Sequence, residues 1–285
     1  MFRLINVGGR AALEIGDSYF DIGHLTADER WADPRYAIER HSELHNLSRG
    51  CAAQKPSGAT IDVSLESPVP APRQVFGIGL NYRDHASETG AELPPAPLTF
   101  TKFPTCIAGP NSEIPLSGTR VDWEVEIVVV IGAVTSHVTA EKAWGSIAGL
   151  TLGQDVSDRA VQRSGNPPQF SLGKSFANYG PVGPAVVSVD SFADPDDIGL
   201  WCDIGTERMQ DARSSLLIFS IPTLVSYLSS ICTLTPGDLI FSGTPAGVGI
   251  ARGRFLQVGD VINSGAEVIG SLRNSCVAGR PPLIG

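Results

Sequence analysis

The chain has 285 residues, 42% hydrophobic and 18% charged, with a formal net charge of −9 and a pI near 5.0. That length and composition suit one large domain, or one large and one small, around a sizeable buried core. The acidic balance, without a basic run or a basic amphipathic helix, excludes nucleic acid and membrane surfaces as main partners, since both need clustered Lys and Arg.

The opening Met1-Phe-Arg-Leu-Ile-Asn-Val-Gly8 is too short in apolar residues for a signal peptide, and no apolar stretch approaches the roughly 18 residues of a membrane span. Five cysteines (Cys51, Cys106, Cys202, Cys232, Cys276) are spread widely with no Cys-x-x-Cys pair. A disulfide scaffold or zinc ribbon is therefore not expected, and reduced thiols in a cytoplasmic protein are.

Phe2–Val7 and Ala11–Ile15 flank Gly8-Gly9-Arg10, a hairpin signal. A polar segment from Asp33 to Ser48 predicts a helix whose His41 and His45 stand at i,i+4. No third zinc ligand accompanies them, so a solvated helix face is expected. The extended, proline-rich Ser67-Pro-Val-Pro-Ala-Pro-Arg73 places a boundary between a small domain, residues 1–70, and a larger one, residues 71–285. Beyond it, short apolar strands are predicted at Val75–Ile78, Glu124–Ile131, Ala148–Leu152, Ala185–Ser188, Gly199–Ile204 and Leu239–Ser242. Pro236-Gly-Asp238-Leu-Ile and Val258-Gly-Asp260-Val-Ile each read as a turn feeding a strand. Two helices are predicted, one capped by Thr139 with Ala140, Ala143, Trp144 and Ile147 as its stripe. The other is capped by Ser220, with Pro222 in its first turn. Many strands with few helices predict an α+β, mostly β fold.

The segment Asp122-Trp-Glu124-Val-Glu126 runs directly into Ile-Val-Val-Val-Ile131. As a strand it puts Asp122, Glu124, Glu126, Val128 and Val130 on one face, while the apolar run implies burial on both. Paired carboxylates at the edge of a core need a cation, either a hard divalent ion or a nearby Lys or Arg. Asp155, between an apolar run and the polar Ser157-Asp158-Arg159, is the candidate third ligand. In Asn81-Tyr-Arg-Asp-His85-Ala-Ser-Glu88-Thr-Gly90, Asn81 or Asp84 can start a short helical turn and Gly90 can end it. His85 and Glu88 then share a face, as a general base oriented by a carboxylate or as a surface ion pair. Lys174, among small and apolar residues, can polarise a carbonyl or simply bury its stem. The Gly243-Thr244-Pro-Ala-Gly247-Val-Gly249 loop lacks the Gly-Lys-Ser/Thr ending of a phosphate loop, so a tight turn near the site is expected.

In order and spacing these segments resemble the fumarylacetoacetate hydrolase family over residues 75–277. The matching stretches include Gly79-Leu-Asn-Tyr-Arg-Asp-His85-Ala-Ser-Glu88, Phe100-Thr-Lys102-Phe-Pro, Asp122-Trp-Glu124-Val-Glu126 and Gln154-Asp155-Val-Ser-Asp-Arg159-Ala-Val-Gln162. Lys174-Ser-Phe176, Met209-Gln210, Pro236-Gly-Asp238 and the 243–249 loop complete them. The resemblance implies a mixed β-sandwich or β-roll catalytic domain with a small amino-terminal α+β domain, commonly assembled as a homodimer. It implies Mg²⁺, or else Mn²⁺ or Ca²⁺, on Glu124, Glu126 and Asp155. It further implies His85, Glu88 and Lys174 as catalytic residues, with Arg159, Gln162 and Thr244 touching a small oxo acid or diketone.

The expected reaction is hydrolysis of a C–C bond in an acylpyruvate or other β-diketone or 2-oxo acid through a metal-bound enolate. An oxaloacetate-type decarboxylase, or an oxo-acid isomerase or hydratase, is the alternative; a non-catalytic binding protein on the same scaffold is the third reading. Departures from the family pattern are Gln154 before Asp155, where Asn is frequent, and Ala177 after Lys-Ser-Phe. The latter leaves Asn178 as the neighbouring polar side chain. Ala91–Pro97 and Gly165–Phe170 are expected to shape the pocket.

Overall fold

The computed structural model describes residues 1–90 and 92–283. Residue 91, the first of the Ala91–Pro97 segment, lies outside the described residues.

Strands dominate, and each predicted strand forms, Gly199–Ile204 with the predicted ends and the others with one or both ends shifted: Val75–Gly79, Val125–Ile131, Ile147–Gln154, Gly180–Val187 and Leu239–Phe241. Val125–Ile131 lies inside a large mixed sheet, between Ile147–Gln154 and Leu239–Phe241, antiparallel to both. Leu239–Phe241 then pairs in parallel with Val75–Gly79. A second sheet of five strands runs Glu207–Arg213, Gly199–Ile204, Val261–Ala266, Gly270–Ala278, Ile114–Leu116.

All seven residues of Val125–Ile131 are buried, as a strand covered on both faces requires. Val125, Ile127, Val129 and Ile131 join a core that includes Leu200, Cys202, Ile262 and Leu272 of the second sheet. Val128 and Val130 belong to another core with Phe2, Leu4, Leu13, Phe20 and Trp31. The amino-terminal segment thus covers the opposite face of the large sheet. It also extends that sheet, since Arg3–Val7 pairs antiparallel with Gly180–Val187. The face carrying Val128 and Val130 also carries Glu126 and Glu124, by the twofold period of a strand.

The helical predictions need correction in detail. Residues Ala140–Ser146 form a 3₁₀ helix without a side-chain cap from Thr139. The segment leads directly into the strand that starts at Ile147, and 3₁₀ turns are common in such short connectors. Ile221–Ser229 is α-helical with Pro222 in its first turn, but Ser220 bonds the Thr223 hydroxyl instead of capping. The segment from Asp33 breaks into two helices, Pro34–Glu39 and His41–Gly50. Neither histidine of the second is simply solvated. His41 Nδ1 lies 3.2 Å from Ile38 O, and the His45 ring stands edge-on to Phe2.

Candidate active site

Three buried carboxylates converge. Ligand atoms of Glu124, Glu126 and Asp155 lie within 4.8 Å of one another. Glu124 precedes the central strand, Glu126 is inside it, and Asp155 follows the neighbouring strand Ile147–Gln154. The Asp155 N–H donates to the Glu124 carbonyl at 2.8 Å, locking the two backbones together.

Cations surround two of the three. The Lys174 ammonium donates to Glu124 Oε2 at 2.7 Å and also to Asp155 Oδ2. Lys102 donates to Asp155 Oδ1 at 2.7 Å and to the carbonyls of Lys174 and Tyr179. Arg159 forks, with Nη2 on Glu124 Oε1 at 2.6 Å and Nε on Asp122 Oδ2 at 2.8 Å. Its Nη1 reaches Gln162 Oε1 at 2.9 Å.

Burial pushes the Glu124 carboxyl up, but Lys174 and Arg159 outweigh that and hold it at about 2. Glu126 has no ion-pair partner among the described residues. Burial, then the negative charges of Asp155 and Glu124, push its carboxyl well above the ordinary range. Among the described residues its one hydrogen-bond donor is the Gly243 N–H, 2.7 Å from Oε2. Three hard oxygen donors, one lacking a cation, fit a divalent ion of the magnesium, manganese or calcium type.

The dyad forms on the helix Arg83–Thr89, where His85 Nδ1 lies 2.9 Å from Glu88 Oε1. Gly90, at φ +68°, ends this helix as expected. Asn81 does not start it. Its side chain instead bonds Phe219 and the Ser242 carbonyl, tying the segment to two distant loops. Asp84 Oδ1 accepts the next N–H, that of His85.

The glycine loop binds anions, but they are the protein's own. Gly243 N–H holds Glu126, Gly247 N–H reaches both Glu88 oxygens at 3.0 and 3.1 Å, and Gly249 and Ile250 N–H hold Asp122. Gly247 has φ +108°, and a Cβ there would stand 1.9 Å from the Met209 carbonyl. Only glycine lets the loop approach this closely.

A cavity of about 200 Å³ joins these parts. His85, Glu124, Arg159, Gln162, Lys174 and Thr244 all line it. Glu126 and Asp155 lie behind Glu124, and Glu88 behind His85, outside the cavity lining. The Thr244 hydroxyl is engaged within the fold, donating to Val125 O and accepting from Gln210. Asn178 turns away, with its amide on the Glu113 carbonyl.

Sequence reasoning assigned no role to Lys102, Gln154 or Gln210. Gln154 Oε1 accepts the Glu124 N–H and Gln210 Oε1 accepts the Val125 N–H, so two buried amides fix the start of the central strand. The available signals were a lysine set between Phe100 and Phe103, and glutamines at strand positions, each followed directly by an aspartate.

Comparison with known proteins agrees with this architecture. The model described as "Fumarylacetoacetate (FAA) hydrolase C-terminal" matches residues 74–277. Human mitochondrial oxaloacetate tautomerase FAHD2A is 38% identical over 247 residues, covering 85% of this chain and 79% of that one. An HpcE-like protein from Mycobacterium smegmatis superposes with TM-score 0.92 at 41% identity, over 97% and 99% of the two chains. Maleylpyruvate hydrolase from Sphingobium sp. SYK-6, solved with manganese(II) and pyruvate, superposes with TM-score 0.82 at 26% identity, over 98% and 100%. By its matched segment, its mostly β fold and its buried carboxylate triad, this chain belongs to the fumarylacetoacetate hydrolase family.

Proposed function

We propose that this enzyme interconverts the keto and enol forms of a small 2-oxo acid of the oxaloacetate type, using a divalent cation. Glu124, Glu126 and Asp155 would hold that cation, with Mg²⁺ the first candidate and Mn²⁺ or Ca²⁺ next. When bound, the ion supplies Lewis acidity that favours the enolate form of a 2-oxo acid. The observation that carries the reading is that His85, held from behind by Glu88, lines the same cavity as Glu124 and Lys174.

Glu88 holds Nδ1 of the imidazole, which fixes the orientation of the ring. His85 then takes a proton from the carbon between the two carbonyl-bearing groups, and the proton is returned to oxygen. In the opposite direction the same ring moves it back. Lys174, bonded to Glu124 and lining the cavity, offers positive charge to the developing oxyanion. Gln162 orients substrate through its amide. The activity of the human relative supports choosing tautomerisation over the other reactions of an enolate.

Hydrolysis of a C–C bond in an acylpyruvate is the second reading. The same dyad is suited to take a proton from water, and the Sphingobium relative is a maleylpyruvate hydrolase. A substrate panel separates the two. Purified enzyme is given oxaloacetate enol and a set of acylpyruvates, each with Mg²⁺, Mn²⁺ or chelator. Rapid metal-dependent loss of enol absorbance without CO₂ release supports tautomerisation, whereas pyruvate plus a carboxylic acid from an acylpyruvate supports hydrolysis. Full turnover by His85→Ala on either substrate would remove the dyad from both schemes. A homodimer is the proposed assembly and the cytoplasm the proposed compartment, readable by light scattering and by fractionation.

A further inference from the structure

Three cationic side chains line the cavity: Arg159, Lys174 and Arg163. They are not equivalent. Arg159 spends Nε, Nη1 and Nη2 on Asp122, Gln162 and Glu124, and its charge is matched by two carboxylates. Lys174 is held between Glu124 and Asp155. Arg163 is different. It is exposed at the end of the short helix Arg159–Gln162, and its backbone N–H closes that helix on Arg159 O. Among the described residues its guanidinium takes part in no ion pair and no side-chain hydrogen bond.

From this we infer that Arg163 is the specificity-determining residue that receives the distal carboxylate of an oxaloacetate-type substrate. The inference rests on the 2-oxo acid reading above and applies equally to tautomerisation and to C–C hydrolysis. The physical argument is one of charge. A substrate whose first carboxylate and carbonyl lie towards Glu124 and Lys174 meets cations that the protein's own carboxylates already neutralise. A second carboxylate at the distal end meets a guanidinium with all its donors available, and the fork geometry matches a carboxylate bidentately. Phe100, Phe170 and Ile250 supply apolar walls that can cover the carbon chain between the two ends. A monocarboxylic acid would leave Arg163 to water, which is tolerated at an exposed position but adds no affinity.

Oxaloacetate and 2-oxobutanoate test this, because they share four carbons and differ by a terminal carboxylate against a methyl. Their affinities for the Mg²⁺-loaded protein are measured by calorimetry at low and moderate salt, for wild type, Arg163→Ala and Arg163→Lys. The expected wild-type preference for oxaloacetate is about tenfold, as for a charge-assisted hydrogen bond, and it narrows as salt rises. Arg163→Ala removes the preference while leaving 2-oxobutanoate affinity unchanged, and Arg163→Lys retains part of it. Equal wild-type affinities, or a preference that survives in Arg163→Ala, would overturn the assignment. Turnover of oxaloacetate is read separately by enol absorbance. Its absence alongside a wild-type preference that Arg163→Ala abolishes would defeat the proposed reaction while leaving Arg163 as the dicarboxylate contact. If neither acid binds the Mg²⁺-loaded protein, the 2-oxo acid reading and the Arg163 assignment both fall.

Discussion

Gln154 holds Glu124 by its backbone: the amide Oε1 accepts the Glu124 N–H at 2.9 Å. Its Nε2 donates to Ser264 Oγ at 2.8 Å, and Cys202 Sγ lies 3.4 Å away. One side chain therefore spans from the carboxylate triad to the second sheet. This is where the chain carries Gln in place of the family's frequent Asn, and the longer amide suits a span of that length. Gln154→Ala leaves a buried N–H and a buried hydroxyl without this partner, so a loss of about 1–3 kcal/mol in urea unfolding is expected. Metal affinity should fall by about tenfold, as for other groups that orient a ligand without touching the ion. A wild-type metal titration curve for the variant would show that Gln154 does not position Glu124.

Glu126 makes the metal-free protein sensitive to pH. Its folded-state carboxyl sits well above the ordinary 4.5 because of burial, then Asp155 and Glu124. A raised carboxyl favours folding below the unfolded value, and that contribution is lost as pH rises through the folded value. A bound cation stabilises the ionised form and opposes the loss. Melting temperatures measured across this range with chelator and with Mg²⁺ should diverge as pH rises. The metal-bound protein gains about 2.7 kcal/mol at one hundred times the dissociation constant. Parallel curves would contradict the account, and Glu126→Gln should flatten the chelator curve.

Gly247 joins the loop to the dyad, since its N–H reaches both Glu88 oxygens. Gly247→Ala forces a Cβ against the Met209 carbonyl and should pull this N–H away from Glu88. Turnover should drop by about a hundredfold, in the range of a misplaced catalytic group, with metal affinity less affected. Gly253→Ala is the control, because Gly253 also has positive φ (+68°) but nothing within 4 Å of its Cβ position. It should cost only backbone strain, about 1 kcal/mol. Equal kinetic losses in the two variants would show that strain alone, and not the Glu88 contact, matters.

Removing residues 1–70 should not leave a well-behaved 71–285 domain. Val128, Val130, Val182, Val186 and Phe241 share a core with Phe2, Leu4, Leu13 and Trp31, so truncation would bare an apolar sheet face. Aggregation on expression, or binding of a hydrophobic dye by any soluble fraction, is the expected result. A monodisperse fragment with a cooperative melt would support two independent folding units divided near residue 70.

Much of this molecule was legible from residue order. Alternation along Glu124–Ile131 placed both glutamates on one strand face, and the apolar run announced burial on both sides, because strand periodicity is local geometry. The i,i+3 spacing of His85 and Glu88 likewise foretold their contact. Spacing alone left open whether the carboxylates met a metal or a basic side chain, since that depends on partners far along the chain. Lys102 and Asp155 are 53 residues apart, and Gly243 and Glu126 are 117 apart. Only the assembled fold brings them together. Among the described residues the fold supplies Lys102, Lys174 and Arg159 to two acidic neighbours and leaves Glu126 with a single backbone donor. The three carboxylates and their order belong to the sequence. The tertiary structure decides which of them a divalent ion must neutralise, because charge balance in a buried site is set by distances no local pattern encodes.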